Sequence, residues 1–139
     1  MATPANTLDD LRVLDSEILW RLIHPRYYVE NPNMLGSWVI QAGAFAHNHR
    51  NCSVLRSGLV SIDFVKANFP NYGIAALKAE DVRMKAQCVL AIETDPNFSW
   101  PTDAHACLYK APNKKSLKPV NWNALVLLAE QNLILKPII

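Results

Sequence analysis

Glycine is scarce, cysteines are few and odd in number, and long apolar runs are missing, and each shortage closes off a class of protein. Four glycines in 139 residues leave little backbone for cradling a phosphate, and none stands in a GxGxxG, a GK[ST] loop or a GxSxG elbow. An HExxH is missing too, so the usual nucleotide-loop, acyl-transfer and zinc-protease signatures are all absent. The 3 cysteines, Cys52, Cys88 and Cys107, are odd in number and lack CxxC spacing, which argues against a disulfide framework and agrees with a reducing compartment. No run is apolar and long enough to span a bilayer, and the opening MATPANTLDDLRVLDSE carries four acids and no hydrophobic core. The expectation is a cytoplasmic protein with no membrane partner.

What the sequence does have is core material: 50% of its residues are hydrophobic. One domain over residues 1–139 is expected, with 1–16 as a polar N-terminal arm, since no repeat or linker divides the chain. The net charge of +2 is unevenly spread. Residues 1–104 hold nine Lys/Arg against eleven Asp/Glu, and 105–139 hold five against one. Much of that excess is KAPNKKSLKP, where Lys110, Lys114, Lys115 and Lys118 could meet phosphates, nucleic acid or an acidic partner, or simply form a solvated loop.

The order of elements is mixed, which favours α+β over a doubly wound sheet. ILWRLI before His24 and Pro25 reads as a strand covered on both faces, and RYYVENPNMLGS reads as a loop. WVIQAGAF follows as an extended run with Gly43 at a bulge or close approach, and CSVL as a further strand. Ser61 caps a short helix over IDFVKANF that Pro70 must end. YGIAAL is a strand, KAEDVRMKA a second short helix, and CVLAIE and HACLY a pair of strands around the loop DPNFSWPTD. The fold expected is a small mixed or antiparallel sheet with two short helices and a C-terminal amphipathic helix.

That last helix places Trp122, Leu125, Val126, Leu128, Ala129 and Leu133 on one side. Leu127 falls on the polar arc, and the chain runs on into LILKPII, so Leu127, Leu135, Ile138 and Ile139 are candidate partner contacts. The alternative is a tail folded back on the core. Tyr27, Tyr28, Phe98 and Trp100 fall in expected loops, where large rings either anchor a partner or fold over the core.

Two short runs concentrate reactive side chains: HNHRNC at 47–52 and HAC at 105–107. His47, His49, His105 and Cys107, with Cys52 as a fifth, include enough soft ligands for a tetrahedral zinc. The spacing matches no established zinc pattern, and Arg50 beside the site opposes a divalent ion. Cys52 or Cys107 could instead act as a nucleophile with His49 or His105 as base, which requires the thiol and imidazole within about 3 Å. A third possibility is a small transferase using Arg21 on an early strand and Glu93 on a late one, Arg holding a phosphate and Glu orienting a ribose.

The order LWRLIHP, GAF, SVL, AEDVR and HA, across about residues 17–110, resembles a set of small bacterial proteins of no assigned activity. The resemblance implies a bacterial origin and carries no mechanism. The leading expectation is therefore a non-enzymatic interaction or accessory module of a cytosolic complex, with no cofactor and with a protein partner or a second copy. A small enzyme with a His/Cys site, with or without zinc, and a nucleic-acid accessory protein are the alternatives.

Overall fold

The computed structural model describes residues 9–46, 52–94, 99–112 and 115–138. It is α+β. Strand β1 (Ile18–Ile23) is central although it is first in the chain, because the apolar alternation of ILWRLI lets it be covered on both faces. Leu19, Arg21 and Ile23 are buried on one face, and Trp20 and Leu22 are half-buried on the other.

Six strands make one antiparallel sheet, in the order β6 (Cys88–Ile92), β7 (His105–Lys110), β4 (Cys52–Arg56), β1, β5 (Gly73–Lys78), β8 (Leu133–Leu135). β1 pairs with β5 along its whole length but with β4 only at Leu19–Arg56 and Trp20–Leu55. Strands β2 (Tyr28–Glu30) and β3 (Trp38–Ile40) form a separate ribbon. The stretch expected as a loop therefore contains β2, and the run expected to be extended through Phe45 turns into a 3₁₀ turn at Ala42–Ala44 after three residues. Gly43 allows that turn to pack: a Cβ there would lie 2.5 Å from Cε1 of Tyr27.

Helix α1 (Ile62–Asn68) begins where the Ser61 hydroxyl accepts from the Phe64 N–H at 3.2 Å and stops ahead of Pro70. Helix α2 (Ala79–Met84) carries Glu80 and Asp81 in its first turn and Arg83 in its last, the order its dipole favours. Helix α3 (Pro119–Gln131) starts on a proline, which needs no N–H there, and Asn121 caps it by accepting from the Lys118 N–H at 2.9 Å. Buried Asn121 also donates to the Ala86 carbonyl at 2.7 Å, tying α3 to the end of α2. None of the described helices is long and apolar enough to cross a membrane.

The larger core lies on the face of Leu19, Ile23, Val54, Leu77 and Leu108, beneath Leu125, Leu128 and Ala129 of α3 and Val82 of α2. Burying each such aliphatic side chain stabilises the fold by about 1.5–3 kcal/mol. The opposite face holds a smaller cluster around Leu55, Val60, Val65 and Ile74, against which Trp20, Phe69 and Trp100 pack. Of the arm expected at 1–16, the part from Asp9 onward is docked: Val13 is fully buried, and Asp9 and Asp10 hydrogen-bond the backbone of Leu90 at the β6 edge. The C-terminal tail likewise returns to the body. β8 pairs with β5, and Pro137 lies so close to Gly73 that a Cβ there would be 2.6 Å from its Cδ.

Candidate functional site

Register decides which reactive side chains meet. His105 and Cys107 share a face of β7, as strand alternation requires. Cys107 pairs with Ser53, so the neighbouring Cys52 points to the other face and packs in the larger core. That separates Cys52 from the expected ligand set. His47 and His49 lie outside the described residues, and among the described ones no group of three or more His, Cys, Asp or Glu is placed to hold a metal ion.

All three thiols are buried. Burial pushes Cys52 up, and pushes Cys107 to about 12 with Glu93 adding to the rise. Cys88 is raised to about 12, again chiefly by burial. A thiol so raised is protonated near neutrality and is a poor nucleophile, which counts against the Cys–His pairs.

The candidate partner residues are scattered. Leu127 is 59% exposed on α3, and Ile138 is 62% exposed with its N–H on the Asn71 carbonyl. Leu135 is half-buried inside β8, and Tyr28, expected in a loop, is buried in β2 with its ring stacked on Trp38. Both are tied down by their strands rather than presented to a partner. Ile139 and Lys114 lie outside the described residues. Lys110 ends β7, Lys115 bridges to it through the backbone, and exposed Lys118 precedes α3. Lys110 is five residues along β7 from His105, roughly 17 Å away at the usual rise per residue.

Tyr27 and Trp100 lead elsewhere, to a cavity of about 490 Å³. It opens beside the point where β1 and β4 stop pairing. Arg21, from the core face, bridges this parting: Nη1 donates to the Ser53 carbonyl at 2.7 Å and Nη2 to the Ala44 carbonyl, with the guanidinium over the Phe45 ring. Across the opposite face, the pairings Trp20–Leu55 and Leu55–His105 set those three side chains in one row. The Trp20 indole is fixed by donation to the Val60 carbonyl at 2.8 Å.

The turn after β1 adds His24, Arg26 and Tyr27, and the chain after α1 adds Phe69 and Tyr72. Ring contacts run without a break from Tyr27 to His24, Tyr72, Phe69 and Trp100, the last two stacked at 5.9 Å. The cavity is thus walled by flat rings and carries two arginines, while no Asp or Glu is among the described residues lining it. Its described lining therefore carries cationic side chains and no anionic one.

The two histidines hold complementary protons. His24 Nδ1 accepts from the Arg26 N–H at 3.1 Å, so in the neutral ring the proton sits on Nε2. His105 Nδ1 is 2.7 Å from the Glu93 carbonyl oxygen, and a carbonyl can only accept, so here Nδ1 carries the proton. The Nε2 of His105 is left as an acceptor. It is buried without a partner among the described residues.

The Arg21–Glu93 arrangement is met only in part. Arg21 lines the cavity, but the Glu93 carboxylate accepts from the Tyr109 hydroxyl, and what Glu93 gives the site is its carbonyl, which orients His105. Sequence reading missed His24, Arg26, Phe69 and Tyr72 as site residues. The one local signal was His24 directly before Pro25, a capping position that fixes its ring. The chain matches no protein-family model, no curated protein and no solved structure.

Proposed function

We propose that this chain is a binding domain whose cavity takes a small anion bearing a planar ring. The observation that carries the reading is a ring-walled cavity containing Arg21 and Arg26 with no carboxylate among its described lining residues. Arg26 and the Nε2–H of His24 supply donors for the anion, and the belt from Tyr27 to Trp100 supplies faces for the ring. A cavity of this size suits a small organic molecule. Trp20 and Trp100 line it, so their fluorescence reports occupancy. Phenyl phosphate should change that emission where uncharged benzyl alcohol does not, and Arg26→Glu should weaken the response about tenfold, corresponding to about 1.4 kcal/mol. Equal response to the charged and neutral probes overturns the reading.

A second reading, the interaction module, rests on a different surface. Leu127 and Val120 stand two turns apart on α3, 59% and 56% exposed, and a paired apolar stripe of this kind suits a protein contact.

A further inference from the structure

We propose that the tip of the β2–β3 hairpin is a membrane-surface contact, with Met34 and Leu35 entering the interfacial region of a lipid bilayer and Trp38 lying at the headgroup level. This surface is separate from the cavity, and the proposal does not depend on it. Exposure comes first. Leu35, at 84%, is the most exposed large hydrophobic side chain among the described residues, with Met34 beside it at 62% and Trp38 at 42%. All three belong to one unit, since β2 and β3 pair at Glu30–Trp38 and residues 31–37 connect them. Large apolar side chains gathered at one apex mark a contact.

The connection also satisfies its own backbone. The Asn31 N–H donates to the Ser37 carbonyl at 2.7 Å, and the Met34 and Ser37 N–H groups donate to the Asn31 and Met34 carbonyls, both at 3.1 Å. The Asn33 N–H donates to the Asn31 side-chain oxygen at 2.9 Å and the Gly36 N–H to the Glu30 carboxylate at 3.0 Å. Pro32 has no N–H, and Gly36 closes the turn at φ 85. Hydrocarbon offers no partner to a bare N–H, so this internal closure is what insertion requires. Charge is missing as well: between Glu30 and Arg50 the sequence holds no Asp, Glu, Lys or Arg, its longest such run. Trp38 stacks on buried Tyr28 one residue behind the connection, which fixes an amphipathic ring where interfacial aromatics sit. A protein groove meets its apolar anchor inside a polar rim, whereas an uncharged apex with a flanking Trp matches a bilayer surface. Insertion is shallow, about 5–10 Å, so the exposed Asn33 amide still meets headgroups and water. Such a contact needs no spanning helix, and it departs from the expectation of no membrane partner, which rested on spanning and signal segments alone.

The test mixes the intact protein with neutral phosphatidylcholine vesicles in about 0.5 M salt, where the Debye length is below about 5 Å and the surface lysines are screened. The protein should pellet with the vesicles. Leu35→Asp, at a position too exposed to disturb folding, should lower the bound fraction about tenfold or more. Brominated lipid should quench part of the tryptophan emission, and that part should vanish in Trp38→Phe, which leaves Trp20, Trp100 and Trp122 in place. Without lipid, light scattering should give wild type and Leu35→Asp the same mass. Failure to pellet, pelleting that Leu35→Asp leaves unchanged, or quenching retained in Trp38→Phe overturns the proposal. A wild-type oligomer that Leu35→Asp dissociates also overturns it and assigns the tip to a second copy of the chain.

Discussion

Arg21 spans the parting of β1 and β4, its Nη1 2.7 Å from the Ser53 carbonyl oxygen and its Nη2 bonded to the Ala44 carbonyl. A side chain here does what the sheet's own ladder does one residue earlier. Arg21→Met would fill similar space but leave two carbonyls without a charged donor, and each unmade buried bond costs about 1–3 kcal/mol. Urea denaturation should show a loss of roughly 2–5 kcal/mol, with Arg21→Lys intermediate because one ammonium cannot reproduce the guanidinium fork. A midpoint unchanged in Arg21→Met would mean the guanidinium is not what holds the parting.

Arg56 grips the Glu17 carboxylate through Nε at 3.0 Å and Nη2 at 2.7 Å. That bond holds the Glu17 carboxyl below its ordinary value of 4.5. A folded-state value below the unfolded one means the stability is fully present above about 4.5 and is lost as pH falls through the lower, folded value. Arg56→Met should cost about 1 kcal/mol at neutral pH and flatten this acid limb. Denaturation midpoints from pH 7 down to 3 measure it, and a mutant with the wild-type slope contradicts it.

Buried thiols make a kinetic prediction. Cys88 and Cys107 are each pushed to about 12 by burial, above their unfolded values, so both contribute stability that is complete below about pH 9 and drains away as pH rises toward 12. An aromatic disulfide reagent at pH 8 should label none of the three native cysteines quickly and all three after unfolding. Rapid stoichiometric labelling of native protein would show one of them to be exposed.

Leu127 and Leu125 are neighbours with opposite expected costs. Leu125 is fully buried under the sheet, so Leu125→Ala should destabilise by about 2–5 kcal/mol. Leu127 is 59% exposed, and Leu127→Ser should stay within about 0.5 kcal/mol. If α3 is a contact surface, the same substitution lowers the mass found by light scattering or the retention of a partner. A monomeric wild type that retains no partner would remove the interaction reading.

Periodicity and punctuation made most of the fold readable. The β1 alternation, the Ser61 cap, Pro70 and the acid-then-base order of α2 are local, so a single chain displays them. β2 and β8 were hidden because each is three residues long and is stabilised by its pairing partner rather than by its own pattern. Tyr28 read as a loop aromatic for the same reason. The cavity was less legible still. Its members come from β1, β4, β7 and four connecting segments, and neighbours such as Trp20 and His105 meet only through the register of a strand between them. HNHRNC drew attention because its reactive groups are adjacent in sequence, whereas the acceptor nitrogen of His105 was recognisable only once the Glu93 carbonyl had fixed its tautomer.

β5 pairs with β1 on one side and with the short β8 on the other. Translation delivers β1, β4 and β5 early, while residues 133–135 follow only after the whole of α3. Until they arrive, the outer edge of β5 displays unpaired N–H and C=O groups, a template for another nascent chain in the same state. Solubility on the ribosome therefore depends on a three-residue strap that docks late, and co-translational loss of protein should track slow passage through α3 more closely than it tracks the stability of the finished fold.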